Sequence, residues 1–102
     1  MPEFVRIGSV SDLPPDGEAK EFDCQGRTVC VARVNGEVTA MDNVCLHRGG
    51  PLGQGVVMGE KIVCPWHGWE FDAKTGQAGQ SKELAVAVYR VRIEGNNLLV
   101  EI

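Results

Sequence analysis

From Tyr89 to Glu94 the side chains alternate in kind: Tyr89, Val91 and Ile93 are apolar or aromatic, and Arg90, Arg92 and Glu94 are charged. A two-residue repeat places one set on a buried face of a β-strand and the other in water. After a turn at Gly95-Asn96-Asn97, Leu98, Val100 and Ile102 resume the alternation. No segment of the 102-residue chain sustains a helical period. That restriction limits the fold more than any other feature, because the core must come from strands.

The remaining strands are separated by turn chemistry. Phe4 to Ile7 predicts a first strand, and Asp12-Leu13-Pro14-Pro15-Asp16-Gly17 a turn. Gln25-Gly26 and Asn35-Gly36 each suit a two-residue hairpin loop, since both central residues need φ > 0. The flanking strands run from Glu18 to Cys24, from Arg27 to Val34, and through Val38 to Met41. Residues 49–79 hold eight of the 13 glycines, with Pro51 and Pro65. This is loop chemistry, interrupted by short strands at Lys61 to Val63 and Trp69 to Phe71. The expectation is an all-β fold: an antiparallel β-sandwich or barrel of short strands with a loop-rich subdomain at its tip. The length suits one domain, residues 1–102, around one core.

Charge narrows the partners. Fourteen acids against ten bases give −4, and no Lys/Arg cluster offers the basic face a nucleic acid requires. Residues 1–44 carry eight acids and four bases, and residues 45–102 carry six of each. Such a flank could steer a basic partner, but it suits a merely solvated surface better. No apolar run approaches the roughly 18 residues that span a bilayer, so no membrane partner is expected. The start, Met1 to Arg6, lacks a basic region followed by an apolar one, so no secretory signal is predicted. A cytoplasmic, reducing compartment follows as the expectation, in which four cysteines point to metal chemistry rather than disulfides.

Both histidines lie close to a cysteine. Cys45-Leu46-His47 and Cys64-Pro65-Trp66-His67 are separated by residues 48–63. Each loop offers one thiolate and one imidazole, so the pair can clamp a small inorganic centre from opposite sides. Thiolates suit ferric iron held with sulfide, and neutral imidazoles suit iron of less negative charge. A structural zinc site of two cysteines and two histidines uses the same ligands. Cys-x-His, however, is a tight pairing for one tetrahedral ion.

The spacing Cys45-x-His47, then Cys64-x-x-His67-Gly68, resembles the Rieske-type iron–sulfur signature. His47-Arg48-Gly49-Gly50-Pro51-Leu52 and Cys64-Pro65-Trp66-His67-Gly68-Trp69-Glu70-Phe71-Asp72 extend the likeness. It covers nearly the whole chain and is that of a small Rieske ferredoxin, with cluster loops at about 43–53 and 63–72. The resemblance implies one two-iron, two-sulfide cluster, with Cys45 and Cys64 on one iron and His47 and His67 on the other. It implies a potential above that of a four-cysteine ferredoxin, because two imidazoles replace two anionic thiolates. The imidazole nitrogens that do not bind iron would face solvent and a redox partner.

High-potential Rieske proteins of respiratory complexes carry an extra cysteine in each loop, joined as a disulfide, where this chain has Gly50 and Trp66. They also place Ser and Tyr at the positions of Trp69 and Phe71. Losing those hydroxyl donors disfavours the more negative, reduced cluster. A midpoint near the low end of roughly −150 to +300 mV is therefore expected. Rieske ferredoxins often have a proline in a third loop over the cluster, and Ala78-Gly79-Gln80-Ser81-Lys82 has none. Trp69 and Phe71 are expected in the core under the cluster, alternating with Glu70 and Asp72. Trp66 suits either a partner surface or packing against its own loop, and Arg48 either docking or solvation. Cys24 and Cys30 would point to opposite faces of the hairpin, as small buried residues without a disulfide.

A Rieske oxygenase also needs a mononuclear iron held by two further histidines, which these residues lack. The expected function is that of a non-enzymatic, monomeric one-electron carrier. It would pass electrons from a flavin-dependent NAD(P)H reductase to a terminal oxygenase of the ring-hydroxylating dioxygenase type. Two alternatives stay open: a small subunit similar to that of NAD(P)H nitrite reductase, and a structural or redox-sensing metal module.

Overall fold

A computed structural model describes residues 3–45, 49–66, 68–79 and 83–101. Ten strands occur among them. They are β1 (Phe4–Ser9), β2 (Glu18–Cys24), β3 (Arg27–Val34), β4 (Glu37–Asp42), β5 (Val56–Met58), β6 (Lys61–Val63), β7 (Glu70–Asp72), β8 (Val88–Tyr89), β9 (Val91–Glu94) and β10 (Asn97–Glu101). Single 3-10 turns at Val10–Asp12 and Leu52–Gln54 are the described helical pieces. Both predicted hairpins form. Gln25 and Gly26 have φ of 52° and 85°, and Asn35 and Gly36 of 53° and 79°, the left-handed pair that a two-residue loop requires.

The strands form three antiparallel sheets, ordered β1-β10-β9, β2-β3-β4-β8 and β5-β6-β7. The four-stranded sheet lies between the other two in packing terms. In β3, Val29, Cys30, Val31 and Ala32 are all at most 1% exposed. A nearly continuous apolar run buries both faces of a strand. Val29 and Val31 pack with Phe22, Ala40, Leu98 and Val100 on one side. Cys30 and Ala32 pack with Met41, Cys45, Leu52, Ile62, Cys64 and Phe71 on the other. The single core expected from length is thus two apolar clusters, one on each side of the central sheet. The second unites that sheet with the glycine-rich subdomain.

Register bears out the reading of the first hairpin. Cys24 pairs with Arg27 and Glu21 with Cys30. Cys24 belongs to one apolar cluster and Cys30 to the other, and neither forms a disulfide. The alternation from Tyr89 to Glu94 holds less well. The segment leaves the four-stranded sheet after Tyr89 and joins β10 from Val91 onward. Ile93 is 48% exposed, because β9 is the edge of its sheet and Ile93 sits close to the turn at Gly95. The short strand expected at Trp69 to Phe71 runs from Glu70 to Asp72, and a further one, Val56–Met58, precedes Lys61.

Candidate metal centre

The glycine-rich subdomain presents two loops built on one backbone plan. In the first, the Gly49 N–H donates to the Cys45 carbonyl at 2.7 Å, and the Cys45 N–H to the Gly50 carbonyl at 2.9 Å. In the second, the Gly68 N–H donates to the Cys64 carbonyl at 3.1 Å, and the Cys64 N–H to the Trp69 carbonyl at 2.7 Å. Each loop therefore starts at its cysteine and turns on a glycine four residues later. Gly49 and Gly68 have φ of 73° and 74°, a region that L side chains rarely adopt. The second loop is the connection of the β6–β7 hairpin, whose register runs through Val63 and Glu70. The first is closed at its base by the bridge between Val44 and Pro51 and by the Leu52 N–H donating to the Asn43 carbonyl.

Cys45 and Cys64 are 2% and 3% exposed and share one apolar cluster. Neither is in a disulfide. The loops meet at Gly50: a Cβ there would lie 2.8 Å from Cys64 Sγ and 3.1 Å from the Trp66 ring. The two positions that would carry a disulfide in respiratory homologues thus adjoin, with the indole laid against a bare backbone. Trp66 is nevertheless 56% exposed, and Val44, beside Gly49, is 53% exposed. Trp66 therefore both packs on its neighbouring loop and faces solvent. Phe71 is fully buried, while Trp69 is partly buried against the same cluster, with ring centroids 6.4 Å apart.

The expected imidazole ligands His47 and His67 lie outside the described residues, as do Arg48 and residues 80–82 of the third loop. Among the described residues no three His, Cys, Asp or Glu side chains gather as a metal site. The fit to a two-iron cluster rests on the thiol side. Two buried thiols, on matched turns with glycine wherever a Cβ would intrude, are the donors that iron–sulfide chemistry takes.

Composition gave no signal for a polar lock behind the first loop. Asn43 is 6% exposed, and its Oδ1 accepts the Gly53 N–H at 2.7 Å. Its Nδ2 donates to Glu21 Oε2 at 2.6 Å, and Gln54 Nε2 donates to Glu21 Oε1 at 3.0 Å. A Cβ on Gly53 would sit 2.5 Å from Glu21 Cγ. Gly53 reads from sequence as loop chemistry, whereas Glu21 reads as an ordinary strand polar residue and Asn43 only as the start of the first cluster loop.

The other two thiols are kept from ionising. Burial pushes Cys30 up to about 12, helped by the Glu21 carboxylate. Burial also raises Cys24, against the pull of Arg27.

Comparison with known proteins agrees with this geometry. The chain is 30% identical over 89 residues to the ferredoxin component of the naphthalene 1,2-dioxygenase system of Pseudomonas aeruginosa, covering 86% of each. Its fold matches the ferredoxin of carbazole 1,9a-dioxygenase from Nocardioides aromaticivorans IC177, with TM-score 0.83, 35% identity and 95% of both chains covered. It also matches a chain in a complex of reduced oxygenase and oxidised ferredoxin of carbazole 1,9a-dioxygenase, with TM-score 0.83 and 25% identity over 96% of this chain and 92% of that one. The model of the Rieske [2Fe-2S] domain matches residues 3–91. With the paired thiol loops, that match shows that the chain belongs to the Rieske [2Fe-2S] domain family and that its cofactor is the Rieske-type two-iron, two-sulfide cluster.

Proposed function

We propose that the chain is a one-electron carrier, taking electrons from a flavin-dependent NAD(P)H reductase and delivering them to a terminal oxygenase of the ring-hydroxylating type. The observation that carries this reading is near end-to-end likeness to a ferredoxin component, 95% of both chains in the carbazole dioxygenase ferredoxin. In this reading residues 1–102 form one domain. Cys45 and Cys64 hold one iron, and His47 and His67 hold the other. The bound cluster supplies reversible uptake of a single electron.

The chain's own residues then position and expose. The matched turns at Gly49 and Gly68 would present the two cysteines to the cluster, and the apolar residues around Ile62 and Phe71 keep water from the thiol end. Trp66 and Val44 leave an apolar rim exposed next to the loops, suited to small, transient contacts. The chain acts as a monomer and catalyses no reaction of its own. Its expected compartment is the cytoplasm; among the described residues no helix is long and apolar enough to cross a membrane.

Reconstitution tests the reading. The expected result is NADH-driven product formation by a ring-hydroxylating oxygenase and its reductase only when this chain is added, at rates that rise with its concentration. Stable one-to-one co-purification with a large flavin- and haem-containing chain, without free exchange, overturns it in favour of an enzyme subunit. A zinc-loaded protein without labile sulfide overturns it in favour of a structural module.

A further inference from the structure

Glu21 is an unusual carboxylate in this molecule. It stands on β2 opposite Cys30, on the side of the central sheet that packs against the thiol loops. It is partly buried, and both its oxygens are taken by neutral amides, Asn43 Nδ2 at 2.6 Å and Gln54 Nε2 at 3.0 Å. Among the described residues no Lys or Arg forms an ion pair with it, whereas Glu37, Glu94 and Glu101 each have one. Its backbone and Cγ are packed against Gly53 in the leg of the first loop.

The neighbours tie this charge to the cluster. Asn43, which holds the carboxylate, precedes Cys45 by two residues. Two residues of chain reach about 7 Å, so Cys45 lies within roughly 10 to 13 Å of the carboxylate. The space between is protein rather than water, since Asn43, Gly53, Leu52 and Cys45 are all buried. The same charge contributes to the high pKa of Cys30, a member of the apolar cluster that contains Cys45 and Cys64.

We propose that Glu21 is a positioning and tuning residue: a carboxylate without an ion pair among the described residues, held by Asn43 and Gln54 behind the first loop, that lowers the cluster's affinity for its electron. The inference rests on the electron-carrier reading. Reduction adds one negative charge to the cluster, and a fixed negative charge nearby opposes it. At about 10 to 13 Å and an effective dielectric constant of about 20 to 40, one unit charge changes that equilibrium by about three- to sixteen-fold. Exposed, paired carboxylates are screened by water and salt and have far less reach.

Glu21→Gln removes the charge and keeps the shape. Its Oε1 accepts from Asn43, and its Nε2 donates to Gln54 once the exposed Gln54 amide turns over. The test is a redox titration of the anaerobically purified protein followed by visible absorbance and EPR. Glu21→Gln is expected to raise the reduced-to-oxidised ratio at a fixed ambient potential about fivefold, a midpoint shift of about +40 mV at 59 mV per decade. Glu94→Gln, on the edge strand of the other outer sheet, is expected to change the ratio by less than about 1.5-fold, and the EPR line shape is expected to stay the same in both. An unchanged ratio in a folded, cluster-loaded Glu21→Gln protein overturns the inference while leaving the carrier reading intact. Should that variant fail to fold, Gln54→Lys places a cation beside Glu21 from the surface. A ratio that does not rise there overturns the inference as well. A wild-type protein that takes up no electron overturns both.

Discussion

At Gly50 a single hydrogen in place of a methyl group decides whether the two loops can close. A Cβ would lie 2.8 Å from Cys64 Sγ, inside the contact distance of any carbon and sulfur, and 3.1 Å from Trp66. Gly50→Ala is therefore expected to cost about 1–3 kcal/mol of overpacking and to lower iron and sulfide content, as measured by metal and labile-sulfide analysis. Full iron loading in that variant would contradict the close approach. Cys30 offers a second test at this scale. Its folded pKa, about 12, lies above the unfolded value near 8.5. The folded state thus holds the proton more tightly. The stabilisation is complete below about pH 8.5 and is lost as pH rises through about 12. Denaturant unfolding of the wild type is expected to show stability falling over that range, with a shallower fall in Cys30→Val. Cys24 and Cys30 are also expected to resist alkylation at pH 8 until the protein is unfolded, since only the thiolate reacts.

At the scale of elements, the turn after β7 and the lock behind the first loop carry separate expectations. Asp72 Oδ1 accepts the N–H groups of Lys74 and Thr75 at 2.9 and 3.0 Å, while its carbonyl accepts the Gly76 N–H. The Thr75 backbone bond leads in holding the Asp72 carboxyl below its ordinary value. That contribution is present above the unfolded carboxyl pKa and fades as pH falls through the lowered one, so Asp72→Asn is expected to flatten the acid limb of the stability curve. Asn43→Ala is expected to destabilise by about 1–3 kcal/mol, because it strips the buried Gly53 N–H of its acceptor and Glu21 of a donor.

Elements that follow from local rules were legible in the chain. The Gln25-Gly26 and Asn35-Gly36 turns need left-handed φ, and those residues tolerate it. Val29 to Ala32 offered no polar face, a sign that β3 is buried on both sides, yet the length argument alone suggested one core. Alternation reports that Ile93 shares a face with the buried Leu98, but how far the opposing layer reaches over the edge strand is a tertiary matter. Glu21 and Asn43 carried no signal for a related reason. Their partnership spans 22 positions and exists only once β2 and the first loop are packed together. The likeness of the Cys45 and Cys64 turns was legible as spacing, while their shared hydrogen-bond plan emerged only from the backbone.

For the whole molecule, the architecture separates stability from electron transfer. Two outer sheets flank a central one; the Cys64 loop is the β6–β7 connection of the outer sheet with the shortest strands, and the Cys45 loop, which leaves the central sheet after β4, packs against it at Gly50. The central sheet holds those loops through an apolar cluster in which its Cys30, Ala32 and Met41 meet Leu52, Ile62 and Phe71, leaving Trp66 and Val44 exposed beside them. Trp69 and Phe71 carry no hydroxyl to offer the sulfurs of a bound cluster, and Phe71 is buried in the apolar cluster that holds Cys45 and Cys64. A low midpoint for this class, near the bottom of the roughly −150 to +300 mV range, is therefore expected; a value well above zero would contradict it. The central claim, that these loops hold a cluster that takes one electron, is tested most directly by coulometric reduction of anaerobically purified protein with EPR and metal analysis. About two irons, two labile sulfides and one electron per chain are expected, with a Rieske-type EPR signal appearing on reduction. A colourless protein with stoichiometric zinc, no labile sulfide and no electron uptake would contradict it.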